Sequence, residues 1–218
     1  MIKLIKNKKP KILVDNENQW TKDYLECLKS GIENNTALYR YNNNEIKKAL
    51  EIETHGKCAY CESKIKHIGF GDIEHILPKN KNARPELVVD WNNLTLACEY
   101  CNRKCKKDYY SIDDPLINPY VDSPDDFLFF AGSLVFSRNQ NSKGQISVKV
   151  LDLNRAELVV RRSECLERID ELLYEWKTQT NKNYKNVLSS ELKKETSNDK
   201  EYSAFVKHYL ISVGFPID

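Results

Sequence analysis

The chain has 218 residues, of which 40% are hydrophobic and 30% charged, a balance typical of a folded protein with a core of its own. No run approaches the ~20 apolar residues that a membrane-spanning helix needs, and the lysine-rich first residues lack the apolar stretch and cleavage site of a secretory signal. A net charge of +2 does not by itself indicate a nucleic-acid-binding protein. We therefore expect a cytoplasmic protein with no membrane partner.

Local charge is more informative than net charge. Lysines and arginines cluster without acidic residues in three places, residues 1–11, 75–84 and 101–107. A solvated surface explains any single cluster about as well as a functional role does. Because two of the clusters lie beside cysteine pairs, the three together favour a surface that faces phosphate.

Two N-terminal segments have the apolar period of a helix. The segment DNENQWTKDYLECLKSG is closed by Gly31, and NNNEIKKALEIETHG has an asparagine as candidate N-cap and Gly56 as its stop. Over residues 57–97 the apolar runs are short and broken by glycine, asparagine and proline, which predicts hairpin and loop structure. A further helix is predicted from Cys98 to about Tyr110.

The C-terminal half follows the connector DDPLINPYVDSPDD. FLFFAGSLVF and QISVKVL are predicted to form two strands around a turn at SRNQNSKG. Asn154 to about Thr178 is predicted to be a long amphipathic helix, and KEYSAFVKHYLISVG a last helix after the polar break SSELKKETSND. Helices would thus flank a cysteine-rich centre that is too poor in apolar residues to fold easily without a metal.

Two Cys-x-x-Cys pairs lie in this centre, Cys58 with Cys61 and Cys98 with Cys101. Each pair places two thiolates on a tight turn at the spacing that one tetrahedral ion requires, so the four together predict a structural zinc site. The segment between the pairs is longer than the ~15–20 residues of common zinc ribbons. A redox motif and buried cysteines without metal are the less favoured interpretations. An odd total of seven cysteines argues against a disulfide framework.

Between and after the pairs stand Glu74-His75 within EHILP, Asn93-Leu94, and Asn102 directly after Cys101. In this order, over about residues 55–107, these elements resemble the HNH endonuclease family. The resemblance implies an α+β fold, in which a small ββα-metal core with a structural zinc is flanked by N- and C-terminal helices and a short hairpin. The chain is accordingly divided into an N-terminal helical segment 1–54, a nuclease core 55–110, and a hairpin with C-terminal helices 111–218.

The resemblance also implies roles for individual residues. His75 would take a proton from the attacking water, and Asn93 would brace the loop that orients it. Glu74 and Asn102 would hold one Mg²⁺ or Mn²⁺ ion, because both offer oxygen atoms where the family more often has Asp and His. The candidates for contact with phosphate are Arg103, Lys104 and Lys106.

A second, looser resemblance covers most of the chain. MIKLIKNKKP, KCAYCE, DDPLINPY and LDLNRAELVVRR resemble the HNH nuclease subunit of Septu-type anti-phage systems, which also accompanies some retrons. It implies a bacterial defence nuclease that cleaves nucleic acid, DNA in preference to RNA, beside an ATPase subunit. In the retron version, a reverse transcriptase and its DNA–RNA hybrid would also be partners. The alternative is a zinc module that binds nucleic acid or protein without enzymatic activity.

Overall fold

Helices enclose two small hairpins in the computed structural model, which describes residues 1–31, 34–65 and 71–217. The bounds in chain order are α1 (Lys11–Ser30), α2 (Asn35–Tyr39), α3 (Asn44–Glu53), β1 (Asp72–His75), β2 (Leu94–Ala97), a π-helix (Tyr100–Lys106), α4 (Pro124–Phe127), β3 (Leu128–Ala131), β4 (Leu134–Ser137), α5 (Ser142–Val150), α6 (Ala156–Thr178), α7 (Lys182–Glu195) and α8 (Ser203–Ser212). None of these helices is long and apolar enough to cross a bilayer.

The two predicted N-terminal helices are confirmed as α1 and α3. Gly31 ends α1 in the left-handed conformation (φ 68°) and donates its N–H to the carbonyl of Cys27. The side chain of Asn43 caps α3 by accepting from the N–H of Glu45 at 2.8 Å. Gly56, with φ 68°, lies just past the end of α3, as expected of a helix stop.

The predicted irregular centre contains the antiparallel hairpin β1–β2, with His75 opposite Leu94; residues 66–70 of this centre lie outside the described residues. The first cysteine turn joins the hairpin through a hydrogen bond from the N–H of Ala59 to the carbonyl of Leu96 (2.9 Å). The helix that follows β2 is π-helical and ends at Lys106, short of the predicted end. Such π turns are rare and occur frequently at functional sites.

The prediction for the second hairpin was wrong in part. Both β3 and β4 come from FLFFAGSLVF, and the chain reverses at Gly132, whose φ of 56° suits a tight turn. QISVKVL is not a strand; all of it except its last residue, Leu151, lies in α5. The side chain of Asn141 caps that helix by accepting from the N–H of Gly144 at 3.1 Å, and this cap outweighs the strand preference of the β-branched residues.

The C-terminal helices are confirmed with one correction. The long amphipathic helix is α6, and the last predicted helix is α8. The predicted polar break is largely helical, because α7 runs through most of it and buries Leu188 and Leu192 on one face. One hydrophobic cluster includes buried residues of all three predicted segments, among them Leu13, Leu96 and Phe205.

Candidate nuclease site and metal centre

The four predicted zinc ligands meet at one point. Cys58, Cys61, Cys98 and Cys101 are all buried, and their sulfur atoms lie within 4.8 Å of one another. Cys61 and Cys98 have their sulfurs 3.9 Å apart, close to the ~3.8 Å edge of a tetrahedron with Zn–S bonds of ~2.3 Å. All seven cysteines are free thiols. The donor set and its spacing therefore fit one structural zinc ion.

The four thiols shift one another's pKa in opposite directions. Burial raises the pKa of Cys58 well above its ordinary value, hydrogen bonds from the other cysteines do the same for Cys101, and the pKa of Cys98 is lowered. Hydrogen bonds from Cys101, Cys58 and Cys98 lower the pKa of Cys61 well below its ordinary value. Nη1 of Arg155 lies 4.0 Å from the sulfur of Cys101, and the guanidinium packs on the ring of Tyr100. Burial opposes the charge of Arg155, but the nearby sulfurs raise its pKa. Arg155 is distant from all four cysteines in the sequence, so the spacing of the cysteines could not predict this contact.

His75 ends β1 with its ring buried and oriented by the backbone. Its Nε2 lies 2.8 Å from the carbonyl oxygen of Val88. A carbonyl only accepts hydrogen bonds, so Nε2 carries the proton and Nδ1 of the neutral ring keeps its lone pair. Burial lowers the pKa of His75 from 6.5 to about 3, which keeps the ring neutral at physiological pH. The ring of Tyr41 meets it edge-on, 4.6 Å between centroids.

Asn93 holds the loop that follows His75. Its Oδ1 accepts from the N–H of Leu77 at 2.8 Å, and its Nδ2 donates to the carbonyl of the same residue at 2.9 Å. A third contact reaches the carbonyl of Leu87, one residue before the Val88 carbonyl that orients the imidazole. These contacts are those expected of a residue that braces the loop.

Glu74 is buried and already paired. Its Oε1 lies 2.7 Å from Nζ of Lys106 and accepts from the hydroxyl of Tyr60 at 3.3 Å. Burial raises the pKa of Glu74, and the charge of Lys106 opposes that shift. Lys106 also donates to the carbonyl of His75 at 2.8 Å. The prediction that Lys106 contacts phosphate therefore needs correction, because its side chain is 1% exposed and its ammonium is engaged inside the protein.

Asn102 contacts a different carboxylate. Its Nδ2 donates to Oδ2 of Asp72 at 3.2 Å, and Arg103 makes two hydrogen bonds to the same carboxylate. Asp72 and Glu74 share one face of β1, two residues apart. Asp72 was not among the predicted site residues. Its position in GDIEH, two residues before Glu74 in a strand, is the sequence feature that could have indicated it. Of the predicted phosphate contacts, Arg103 and Lys104 are exposed.

The oxygens of Glu74 and Asn102 suit a hard divalent ion such as Mg²⁺. In the conformation described, however, these two side chains have separate partners, Lys106 and Asp72. Among the residues that the structure describes, the four cysteines are the one set of three or more His, Cys, Asp or Glu side chains close enough to share an ion. An ion held by Glu74 would compete with the Lys106 ammonium for Oε1.

Comparison with known proteins agrees with this geometry. The family model "HNH endonuclease" matches residues 58–108. Septu protein PtuB of Bacillus mycoides (strain KBAB4) is 31% identical over 159 residues, which covers 60% of this chain and 54% of the relative. Septu protein PtuB of Bacillus thuringiensis is 32% identical over 161 residues, which covers 73% of this chain and 57% of the relative. The chain spans little more than half the length of these curated relatives.

The matched range contains both cysteine pairs, the Glu74-His75 pair on β1, the bracing Asn93, and Asn102 at the start of the π-helix. A two-stranded hairpin followed by a helix, joined to a four-cysteine cluster, is also the arrangement that the sequence motifs predicted. Residues 58–108 therefore match the HNH endonuclease family in sequence motif and in geometry, in a chain similar to two Septu PtuB proteins.

Proposed function

We propose that this chain is a metal-dependent endonuclease that hydrolyses phosphodiester bonds in nucleic acid. The observation that carries the proposal is the orientation of His75. Its Nε2–H is committed to the Val88 carbonyl, and no described residue hydrogen-bonds to Nδ1. A neutral imidazole whose tautomer is fixed and whose other nitrogen is a free acceptor can take a proton from water.

In the proposed reaction, Nδ1 of His75 takes a proton from a water molecule while the water oxygen bonds to phosphorus. The bond from phosphorus to the 3′ oxygen breaks, and that oxygen leaves with a proton from solvent. Asn93 keeps the loop beside the ring in place. Glu74 and Asn102 would hold a Mg²⁺ or Mn²⁺ ion, which, when bound, offsets negative charge on the phosphate and the leaving oxygen.

The test is nicking of a supercoiled plasmid with Mg²⁺, with Mn²⁺, or with EDTA. We expect cleavage by the wild-type protein with a divalent ion, and loss of at least ~100-fold of that rate in His75→Ala, because general bases contribute ~10²–10⁴-fold. Asn102→Ala should lose cleavage as well. The matched control is His55→Ala, which removes an exposed histidine. Cleavage by His75→Ala at the wild-type rate, with zinc content unchanged, would refute the mechanism.

The nature of the substrate is a separate proposal. Attack by water needs no 2′-hydroxyl, so this chemistry is open to both DNA and RNA, and we favour DNA because of the family resemblance. Parallel assays with duplex DNA, single-stranded DNA and total RNA at equal nucleotide concentration test this preference. Faster cleavage of RNA than of either DNA would reverse it.

A zinc module that binds nucleic acid without cleaving it is the second candidate. The ion pair between Glu74 and Lys106 favours it, because an ammonium holds the charge position that a catalytic cation would take. The same plasmid assay decides between them. Binding of the plasmid with no cleavage under any divalent ion, by protein that holds zinc, would support the module.

We further propose that the nuclease works in anti-phage defence beside an ATPase subunit. The support is the similarity to two proteins named Septu protein PtuB and the net charge of +2, which is low for a nuclease that grips long DNA unaided. Co-expression with the neighbouring gene products, followed by purification on one tag, tests this. A retron reverse transcriptase with its DNA–RNA hybrid is the further partner to look for in the same experiment.

A further inference from the structure

Lys79 occupies an unusual position for a lysine. Its Nζ lies 5.2 Å from the ring centroid of Tyr41 and 5.7 Å from that of Tyr24, within the range of cation–π attraction. The hydroxyl of Tyr24 donates to the backbone carbonyl of Lys79 at 2.8 Å. The residue is half-buried. Two tyrosines therefore hold both the backbone and the ammonium of Lys79 in place.

This ammonium makes no ion pair with a described carboxylate, and Asp108 acts on it only through longer-range electrostatic attraction. Among the described residues, no acidic oxygen lies within 4.0 Å of Nζ of Lys79, and burial lowers its pKa. Three other cations of the nuclease domain are neutralised, in the pairs Arg84–Glu86, Arg103–Asp72 and Lys106–Glu74, whereas the exposed Lys81 and Lys104 are not in a described ion pair. A partly desolvated charge whose donors are unused is a strong attractor for an anion, because no internal contact has to be broken first.

The ammonium also lies beside the proposed general base. The ring of Tyr41 contacts Lys79 and meets the imidazole of His75 edge-on at 4.6 Å between centroids. The loop between them is pinned by Asn93 at Leu77, two residues before Lys79. The positive charge and the imidazole therefore keep a fixed relation through one aromatic ring and one braced loop.

We propose that Lys79 binds a phosphate oxygen of the nucleic-acid backbone next to the bond that His75 cleaves, and that Tyr41 is the positioning residue that holds the two together. The inference rests on the proposed nuclease function and names the group that fixes the substrate in the site. The class of ligand is a phosphodiester backbone of either sugar, since an ammonium recognises phosphate as a point charge.

The experiment measures binding separately from cleavage. Fluorescein-labelled duplex DNA and single-stranded RNA are titrated, by anisotropy, with zinc-loaded protein carrying His75→Ala, over salt from about 50 to 200 mM. Lys79→Met, Lys79→Arg and Lys81→Met are added to this background. Lys81 is the matched control, because it is an exposed lysine of the same loop.

For Lys79→Met we expect roughly ten- to hundredfold weaker binding and a salt slope smaller by about 1, the loss of one phosphate contact. Lys79→Arg should restore most of the slope, and Lys81→Met should keep the full slope. In the background with intact His75, Tyr41→Leu should lower kcat more than it raises KM, whereas Lys79→Met should raise KM.

The outcomes separate this inference from the proposed function. If the wild-type protein cleaves but Lys79→Met retains the parent slope, the inference fails and the nuclease stands. If no probe is cleaved but Lys79→Met still lowers the slope by one contact, Lys79 is a phosphate-binding residue of a non-enzymatic module. A slope unchanged in Lys79→Met, together with lost zinc, would show a structural role and overturn the inference.

Discussion

Replacing His75 by glutamine should make the stability of the protein less sensitive to acid. Burial, followed by the charges of Lys79 and Lys106, lowers the pKa of His75 from 6.5 to about 3, although the hydrogen bond to Val88 acts in the other direction. Between these two values the unfolded chain binds a proton that the folded chain does not bind. His75 therefore leaves the free energy of unfolding at its full value above about pH 6.5 and lowers it as the pH falls from there toward about 3.

The magnitude follows from the same shift. One pKa unit corresponds to ~1.36 kcal/mol. pH 5 lies ~1.5 units below the pKa of ~6.5 of the unfolded ring, so protonation stabilises the unfolded chain there by about 2 kcal/mol. The free energy of unfolding should therefore be about 2 kcal/mol lower at pH 5 than at pH 7.5. Glutamine titrates in neither state, so this part of the acid sensitivity should vanish from the variant.

Urea unfolding of zinc-loaded protein at pH 7.5 and pH 5 measures the effect. The wild type is compared with His75→Gln and with His55→Gln, which replaces an exposed histidine. Acid also protonates the cysteine ligands and weakens zinc binding, but this loss is common to all three proteins. We expect His55→Gln to behave like the wild type. Equal acid losses in the wild type and in His75→Gln would refute the conclusion that the buried ring is held neutral.

Three further substitutions test the zinc site, the buried ion pair and the hairpin. Cys58→Ser should abolish zinc binding, measured by elemental analysis, and should lower the yield of soluble protein, because three sulfurs no longer close the site. Lys106→Met should lower the free energy of unfolding by about 3–5 kcal/mol, since it leaves the Glu74 carboxylate buried without its partner; a loss below ~1 kcal/mol in urea would contradict this. Gly71→Ala should cost about 1–3 kcal/mol, because a Cβ there would lie 2.8 Å from Cγ2 of Ile65 and the backbone has φ 64°; unchanged stability would show that the side chain of Ile65 moves aside freely.

The zinc cluster and the helices could be predicted because their signals are local. Two cysteines with two residues between them suit one tetrahedral ion whatever surrounds them. The two pairs meet as predicted, with the sulfur of Cys61 3.9 Å from that of Cys98. The apolar stripe of α6 likewise shows in the sequence with period 3.6. The error at α5 was avoidable in principle, because Asn141 stands before it as an N-cap. The strand prediction for QISVKVL followed its β-branched residues and not this N-cap.

The charge pairs of the site could not be predicted, because they depend on which face of β1 meets which turn of the following helix. Lys106 seemed a surface cation of a basic run, yet it reaches back across the hairpin to Glu74. The helix that carries Lys106 contains a π-helical hydrogen bond from the N–H of Lys107 to the carbonyl of Asn102, a rare feature that changes which side chains share a helix face. The approach of Tyr41 to His75 is also set by packing between distant parts of the chain.

The structure connects the zinc cluster to the proposed base by backbone alone. Cys98 directly follows β2, and the first cysteine turn donates from Ala59 to Leu96 of the same strand. β2 pairs with β1 so that Leu94 lies opposite His75. A zinc ion on the four sulfurs would thus hold the first cysteine turn and the end of β2 together, next to the strand β1 that ends at His75. We therefore expect the zinc to act by positioning the imidazole. Loss of zinc should therefore weaken the orientation of His75, because the hydrogen bond from Ala59 to Leu96 would then have to hold the first cysteine turn to β2 without the shared ion.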